Sequence, residues 1–341
     1  MTLILRFKFL KSLVFSFVIL AIASLPGTLL ANARIGHVEA SGQPLDNVLK
    51  EAVTLIEERT EGRVSFTVFP SSQIGNARAM TESVQLGLQE AVVIPAAFIG
   101  GFNPLVSILD IPYLLPTNDA QAQQLRESEF GTALLNSFQE HNFEAVALWP
   151  GGFKHFTSNI PLDSFDAFKD QEFRIMDSRV LRAQFEAVSA LASPIPFGDV
   201  YTALQTGVVD GQENPLDTIA RMNFHEVQQY LLLSAHGVVE NVVLFNPGYM
   251  ASLSEQDQQV IRDTFVELSP VLGEAKSLNQ DQAFEEISSA GLTIRELSSE
   301  ERTELRDLMY PTARDAFLTQ SGEPGATLVE LYESTYESIV E

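Results

Sequence analysis

The sequence predicts an α/β protein built as a two-lobed clamp, with strands exchanged at the hinge and one long helix that crosses both lobes. Its 341 residues are enough for two domains that each bury a core. Helical and strand patterns alternate along most of the chain, which favours a sheet with helices on both faces. Helical spacing then continues from residue 254 towards residue 290, and such a helix would be roughly 50 Å long.

Residues 1–33 carry the three parts of a cleavable signal peptide. The basic start consists of Arg6, Lys8 and Lys11. The apolar stretch SLVFSFVILAIASL follows, and the small residues ANA, ending at Ala33, form a cleavage site. The alternative is an uncleaved membrane anchor, but Pro26 and Gly27 end the apolar run short of the ~20 residues that a span needs. We therefore expect export to the periplasm and no stable membrane insertion of the mature chain.

The composition excludes several classes of site and partner. There is no cysteine, which excludes disulfides, thiolate catalysis, zinc–thiolate sites and lipid attachment to a cysteine. The formal net charge is -24 at pH 7. Such a surface repels nucleic acid and anionic lipid. The sequence therefore predicts no nucleic-acid partner.

The first lobe is predicted from helices and strands that alternate after the leader. Apolar residues at helical spacing indicate a helix over residues 44–61, with Pro44 in its first turn and Gly62 as its stop. The segments RIGHVEA before it and VSFTVFP after it have the pattern of strands. The same order recurs in a helix near residues 78–88, the strand AVVIP, a helix near residues 119–142 and the strand EAVALWP.

The second lobe is predicted to begin after Gly151. The segment FRIM has the pattern of a strand, residues 179–191 that of a helix and NVVLFNP that of a further strand. A capping box at residues 254–257 begins the long helix, in which Pro270 predicts a kink or a break. No flexible linker separates the two sets of elements. The predicted division is lobe I at residues 34–151 and 240–279, and lobe II at residues 152–239 and 280–341.

The sequence contains none of the common catalytic motifs. It has no glycine-rich phosphate loop ending in Lys-Ser/Thr, no G-x-G-x-x-G after a strand and no G-x-S-x-G elbow. His225 and Glu226 begin like a zinc-protease helix, but the second histidine one turn later is missing. Pairs of carboxylates are uninformative in so acidic a chain. We therefore predict no catalytic residue, no metal site and no cofactor.

The segment DVYTALQTGVVDGQENP has the features of a scaffold that positions one amide. Gly207 ends its helix, and Asp210 with Gly211 forces a turn after VV. Asn214 precedes Pro215, so its backbone is extended and Pro215 can take the first position of a helix through LDTIARMNF. Such a strand-to-helix junction favours an anion. The alternative, in which Asn214 only caps that helix, has equal weight from these residues alone.

Three more residues are candidates for an anion site. Arg174 lies among apolar neighbours in FRIM, where a permanent charge needs a partner, although a surface arginine on an edge strand is the commoner case. Lys154 follows PGG, a loop that can bring backbone close to a bound group, and is otherwise an ordinary surface lysine. Phe197 packs in the core by default, and in a cleft it would stack on the apolar part of a ligand.

Three motifs together resemble the periplasmic solute-binding subunit of tripartite ATP-independent periplasmic (TRAP) transporters, in its dicarboxylate- and sialic acid-binding class. They are FRIM, SPIPFGDVYTALQTGVVDGQENP and GGFKHFTSNIP. FPSSQIG and the long penultimate helix extend the resemblance over essentially the whole mature chain, although the amino-terminal half is much less specific. The resemblance implies a periplasmic-binding-protein-like clamp that captures a small mono- or dicarboxylate and delivers it to TRAP membrane subunits.

The resemblance also implies roles for the candidate residues. The family's arginine that holds a ligand carboxylate in a bidentate fork falls on Arg174. Its E-N-P asparagine falls on Asn214, its aromatic residue on Phe197, and a second basic position, usually arginine, on Lys154. Lysine keeps the charge of arginine but loses the planar fork. Pro95 stands close to the position where sialic acid-binding members supply a carboxylate, which favours a smaller acid over a sialate.

Three other functions remain open from the sequence. The binding protein of an ATP-driven importer shares the two lobes but should lack a long helix crossing both. A sensor-accessory protein has the same cleft and presents its ligand to a receptor. A periplasmic hydrolase or isomerase on a similar scaffold needs a titratable residue beside Arg174.

Overall fold

The computed structural model describes residues 32–340. The predicted signal peptide lies outside this range except for its last two residues, and Ala33 is already the first residue of a strand. In chain order the strands are β1 (Ala33–His37), β2 (Phe66–Phe69), β3 (Ala91–Pro95), β4 (Glu144–Ser158), β5 (Glu172–Ile175), β6 (Leu191–Pro194), β7 (Gly211–Asn214), β8 (Tyr230–Phe245) and β9 (Thr293–Glu296).

Along with six short 3-10 turns, ten α-helices accompany these strands in the described range. They are α1 (Pro44–Arg59), α2 (Ala77–Gln85), α3 (Asp119–Glu127), α4 (Glu129–Asn136), α5 (Arg179–Glu186), α6 (Val200–Gln205), α7 (Leu216–Arg221), α8 (Pro247–Ser252), α9 (Glu255–Ser289) and α10 (Ser299–Val340). The last of them, α10, consists of two helices joined by a kink at Gly322, whose φ is 61°. Across residues 32–340 no helix has both the length and the apolar character that crossing a bilayer requires.

One mixed sheet runs through both lobes in the order β2-β1-β3-β8-β4-β7-β5-β6, with β9 beside β8. The outer strands of each lobe are parallel, whereas β4 and β8 form a long antiparallel pair through the centre. The last part of β8, residues 241–245, pairs with β3 of lobe I. The last part of β4, residues 155–158, pairs with β7 of lobe II. The two lobes therefore share these strands, which confirms the predicted α/β clamp with strand exchange at the hinge.

The hinge between the lobes lies in the middle of β4 and β8. The pairing of the two strands shifts register between Pro150 and Gly152 and again between Lys154 and Phe156. Gly152 has a φ of 104°, and a Cβ there would lie 3.1 Å from Pro215. Only glycine combines this backbone with so close an approach to the start of α7.

The long helix α9 crosses both lobes. Ser254 Oγ accepts a hydrogen bond from the Asp257 N–H at 3.1 Å, so the predicted cap at the helix start is confirmed. The helix runs through Pro270 without interruption over its 35 residues, so of the kink or break expected at Pro270, the break is wrong. It packs on α1 of lobe I, α7 of lobe II and the hinge strand β4. These contacts hold it together where the proline lacks an N–H.

The last helix crosses back from lobe II to lobe I. Leu305 and Met309 pack in an apolar cluster with the lobe II strand residue Phe173. Beyond them, Phe317 and Tyr332 belong to the cluster that contains α3 and α4 of lobe I. Residues 280–341 were all assigned to lobe II from the sequence. The structure differs because α10 packs on both lobes, and it already contacts the lobe I cluster at Ala313 and Phe317, before its kink at Gly322.

Two predicted elements have different bounds. The helix expected over residues 119–142 is divided into α3 and α4, because Ser128 ends the first and accepts a hydrogen bond from the Phe130 N–H to cap the second. The helix expected over residues 179–191 ends at Glu186. After the predicted turn at Asp210 and Gly211, the chain forms β7 (Gly211–Asn214), which carries Asn214 at its end.

Candidate functional site

Arg174 lies on β5, flanked by β6 and β7, with only 1% of its surface exposed. Its Nε and Nη2 groups donate to the carbonyl oxygen of Ile195 at 3.0 and 2.9 Å. Among the described residues its Nη1 group has no hydrogen-bond partner and its guanidinium contacts no carboxylate. Burial lowers the pKa of Arg174 to about 10, and the charge of Glu213 opposes this shift. Arg174 is thus a charged side chain, desolvated without a counter-ion in contact.

Two aromatic rings cover this guanidinium, one from each lobe. Phe98 ends a short 3-10 turn that follows β3 of lobe I, and its ring centre is 6.0 Å from Arg174 Cζ. Phe197 begins a similar turn after β6 of lobe II, at 5.9 Å. These are cation–π distances. The predicted aromatic position and the predicted arginine therefore lie together, and Phe98 is a partner that the sequence analysis missed.

A cavity of about 500 Å³ opens beside the two rings. Lobe I contributes Ser72, Asn76 and Arg78 to its wall, and lobe II contributes Asp177 and the backbone of residues 194–199. Volumes of this size hold small organic ligands. The cavity lies between the lobes and at the ends of the parallel strands, the usual position of a ligand in an open α/β sheet.

Lys154 lies nearby but already has an anionic partner. Its Nζ is 2.5 Å from Glu213 Oε1, and both side chains are 1% exposed. Glu213 Oε2 also accepts hydrogen bonds from His236 Nε2 and Gln184 Nε2, each at 2.7 Å. We call these residues the Lys154–Glu213–His236 cluster. Lys154 therefore brings no uncompensated charge to the cleft.

The protonation states within this cluster follow from burial and from the charges in contact. Burial alone would raise the pKa of Glu213, but Lys154 and His236 outweigh it and hold this pKa at about 2. Burial lowers the pKa of His236 to about 4, against the opposing effect of Glu213. At neutral pH the histidine is thus uncharged, donates its Nε2–H to Glu213 and is held at Nδ1 by Ser234 Oγ, 2.7 Å away.

Asn214 ends β7, opposite His155 of β4, and is 4% exposed. Its Nδ2 donates to Gln212 Oε1 at 2.5 Å, and its Oδ1 has no hydrogen-bond partner in the described part of the chain. Pro215 is the N-cap of α7 rather than its first helical residue, and α7 ends at Arg221. Asn214 therefore does not cap the helix, because the helix begins two residues later.

A second ionic contact joins the lobes at α9. Lys276 Nζ lies 3.0 Å from Glu39 Oε2 of lobe I and 2.9 Å from Asp217 Oδ2 of lobe II. Burial opposes the charge of Lys276, but the two carboxylates raise its pKa. The sequence analysis missed this residue. The available signal was its spacing, since Lys276 follows Leu268 and Leu272 at intervals of four and lies on the same buried face of the helix.

Asp110 is a further buried carboxylate that the sequence analysis missed. It ends a 3-10 turn of lobe I and accepts a hydrogen bond at 2.7 Å from Ser178 Oγ, at the start of α5 in lobe II. Burial raises the pKa of Asp110 to about 7, although Ser178 and Lys154 act in the opposite direction. Its sequence signal was one aspartate inside the otherwise apolar stretch ILDIPYLL.

Asn241 is a buried polar side chain whose amide has no partner among the described residues. It lies on β8 opposite Pro95 of β3 and Trp149 of β4, and is 1% exposed. Neither its Nδ2 nor its Oδ1 has a hydrogen-bond partner within residues 32–340. Over the same residues, no group of three or more His, Asp or Glu side chains is arranged to hold a metal ion.

Comparison with known proteins gives consistent matches over most of the chain. Residues 35–320 match the DctP family model, described as bacterial extracellular solute-binding protein, family 7. The C4-dicarboxylate-binding periplasmic protein DctP of Rhodobacter capsulatus is 30% identical over 283 residues, which is 82% of this chain and 84% of that protein.

Solved structures show the same similarity. A TRAP periplasmic solute binding protein from Desulfovibrio salexigens, with bound orotic acid, is 51% identical with a TM-score of 0.89 and covers 90% of this chain and 99% of its own. Another TRAP periplasmic solute binding protein, from Shewanella oneidensis with bound succinate, is 27% identical with a TM-score of 0.82. The match covers 89% of this chain and 99% of that protein's chain.

Proposed function

The chain belongs to family 7 of the bacterial extracellular solute-binding proteins, and we propose that it captures a small organic acid in the periplasm and delivers it to TRAP-type membrane subunits. The family is one of solute-binding proteins and not of enzymes. The periplasmic location rests on the predicted leader at residues 1–33 and on the names of relatives such as the Rhodobacter capsulatus protein. α9, which crosses both lobes, favours this function over the binding protein of an ATP-driven importer.

The proposal rests on one observation, which is that the guanidinium of Arg174 is buried without a counter-ion in contact among the described residues. A guanidinium that is 1% exposed, and whose one hydrogen-bonding partner among residues 32–340 is a carbonyl oxygen, is costly to bury. A ligand carboxylate would supply the missing charge, and each charge-assisted hydrogen bond contributes roughly 1.5 to 3 kcal/mol. The free Oδ1 of Asn214 adds a polar group at the end of the neighbouring strand. Micromolar affinity corresponds to about 8 kcal/mol, which these contacts and closure of the lobes can provide.

The surroundings of Arg174 favour a planar monocarboxylate as ligand. The rings of Phe98 and Phe197 offer stacking surfaces on the two sides of the cleft. Lys154 is neutralised by Glu213, so it does not provide a second site for a carboxylate. Orotate, the acid bound by the Desulfovibrio salexigens protein, has this shape and charge. We therefore propose orotate or a closely related ring acid in preference to an aliphatic dicarboxylate such as succinate.

Calorimetry and ligand-dependent thermal stabilisation with orotate and with succinate test this function. Arg174→Ala should abolish both signals, because the ligand carboxylate loses the buried guanidinium that has no carboxylate in contact within the described residues. Lys154→Ala should weaken binding by a smaller factor through disturbance of the cleft wall. Arg179→Ala is the matched control, since this arginine of α5 is exposed. Unchanged orotate binding by Arg174→Ala would refute the site assignment.

A further inference from the structure

Asp177 lies just beyond the end of β5, three residues after Arg174. The strand ends at Ile175, and Asp177 occupies the bend between it and α5. Ligands of open α/β sheets bind outside the carboxyl ends of the strands, where such connections lie. Asp177 is therefore on the ligand side of the sheet, close in sequence to the residue proposed to hold the ligand carboxylate.

The side chain of Asp177 is exposed in the wall of the ligand cavity. It lines the cavity of about 500 Å³ together with Phe98 and Phe197, the two rings that cover the guanidinium. The helix α5 is capped by Ser178, whose Oγ accepts a hydrogen bond from the Leu181 N–H at 3.3 Å. In the described part of the chain, no hydrogen bond or ion pair involves the Asp177 carboxylate. This carboxylate can therefore accept a hydrogen bond from a bound molecule.

The cation that lobe I contributes to this cavity already has an acidic partner. Arg78 Nε donates to Glu82 Oε1 at 3.1 Å, one turn further along α2, and its guanidinium carbon lies 5.6 Å from the Phe102 ring centre. Both contacts are within lobe I. A second carboxylate, that of Asp199, lines the wall on the side of lobe II. The cavity therefore combines the buried cation Arg174 with a wall that is acidic on its lobe II side.

This distribution of charge fits a ligand that is anionic at one end and donates hydrogen bonds at the other. An ionised carboxylate only accepts hydrogen bonds, and a bond from an N–H group to it is about twice as strong as one between neutral groups. A second carboxylate on the ligand would instead bring two like charges together, which is unfavourable where water is partly excluded. Both effects favour an acid with one carboxylate and an N–H group.

We propose that Asp177 determines the specificity of the site, because it accepts a hydrogen bond from a ring N–H of the ligand and repels a second carboxylate. This rests on the proposed function, in which Arg174 holds the one carboxylate of the ligand. A ring acid with an N–H group satisfies both residues at once. An aliphatic dicarboxylate satisfies Arg174 but places its other carboxylate against Asp177, so an attractive contact and a repulsive one act together in the discrimination.

Calorimetry with three probes tests this role. Orotate has a carboxylate, ring N–H groups and ring carbonyls; benzoate is planar and has only the carboxylate; succinate has two carboxylates and no N–H group. Asp177→Ala should weaken orotate binding about tenfold or more, the ratio expected for one lost hydrogen bond to a charged group. Succinate binding should strengthen by about threefold or more, because the like charge is gone. Benzoate should lose no affinity, since it makes no hydrogen bond to Asp177.

The variant Asp177→Asn separates the hydrogen bond from the charge. Asparagine keeps an acceptor oxygen but is neutral, so orotate should lose less affinity than with alanine, whereas succinate should gain as much. Neither variant should lower the melting temperature of the ligand-free protein, because Asp177 is exposed. Asp166→Ala is the matched control. It removes one exposed carboxylate of lobe II outside the cavity wall and should leave the ratio of orotate to succinate affinity within about twofold.

Each other result would overturn the proposal for Asp177. Unchanged orotate binding by Asp177→Ala would show that the carboxylate does not contact the ring. An equal loss for orotate and benzoate would mean that Asp177 acts on closure of the lobes and not on the N–H group. Unchanged succinate binding in both variants would refute the repulsion. These results leave the proposed function intact, whereas binding of none of the three probes by the unmodified protein would overturn both.

Discussion

Arg174 and Lys154 are two cations of one lobe that are buried to the same extent, with 1% of each side chain exposed, yet their surroundings differ. Lys154 is 2.5 Å from a carboxylate that is itself fixed by His236 and Gln184. Arg174 has a backbone carbonyl and two ring faces. A buried charge with a complete internal partner cannot lose that partner without destabilising the fold, whereas one without a counter-ion is available to an anionic ligand.

The largest expected effect concerns Lys154, the buried cation that has an internal partner. Glu213→Gln leaves Lys154 buried without a counter-ion and should destabilise the protein by about 3 to 5 kcal/mol, as measured by urea unfolding at neutral pH. The double variant Lys154→Met/Glu213→Gln should recover part of this loss, because it removes both charges. A loss below about 1 kcal/mol in the single variant would contradict the assignment of Lys154 as a structural cation.

Lys276 extends the comparison to the contact between the lobes. Lys276→Met leaves Glu39 and Asp217 facing each other without a cation, and should cost about 3 kcal/mol of stability at neutral pH. Burial, together with the charge of Asp217, raises the pKa of Glu39 against the effect of Lys276, so acidification should relieve the repulsion in the variant. Small-angle scattering should show a larger radius of gyration for the ligand-free variant. The exposed Lys169→Met is the control, and an unchanged radius would count against the interlobe role.

Asp110 gives an effect on stability that depends on pH. Its pKa is raised to about 7, so the folded state retains a proton that the unfolded chain loses near its ordinary pKa of about 4. Its contribution to stability is therefore complete below about pH 4 and is lost as the pH rises through about 7. Asp110→Asn should equal the unmodified protein in stability near pH 4 and exceed it by about 4 kcal/mol near pH 8.

Comparing Asp110→Asn with the unmodified protein removes the contribution of the other titrating groups to the pH dependence of stability. The lowered pKa values of His37 and His236 make stability rise with pH over an overlapping range, but equally in both proteins. Asp166→Asn, at an exposed aspartate, should show no such difference. A constant difference between Asp110→Asn and the unmodified protein from about pH 4 to about pH 8 would exclude a titrating Asp110.

The smallest expected change completes the comparison. Arg174→Met loses the bonds to Ile195 but also removes a desolvated charge, so the ligand-free protein should change in stability by less than about 1 kcal/mol. Lys154→Met should cost more, because Glu213 loses its cation. Thermal unfolding of both variants without ligand measures this. Equal destabilisation would mean that Arg174 is as structural as Lys154.

Parts of the site were predictable because local chemistry determines them. The apolar neighbours of Arg174 and the pre-proline position of Asn214 are sequence features, and the structure places both residues at the ends of adjacent strands. The role of Lys154 was not predictable. Lys154 meets Glu213, 59 residues away, only through the pairing of β4 with β7.

The sequence by itself determined the alternation of helices and strands, the long helix from its cap at Ser254, and the permanent charge at Arg174. These follow from periodicity, capping and the permanent charge of arginine, which act over a few residues. Only the tertiary structure decided which cations are neutralised, where α10 crosses between the lobes, and which amide lacks a partner. Each of these depends on side chains far apart in sequence, whose contacts arise when the shared sheet forms.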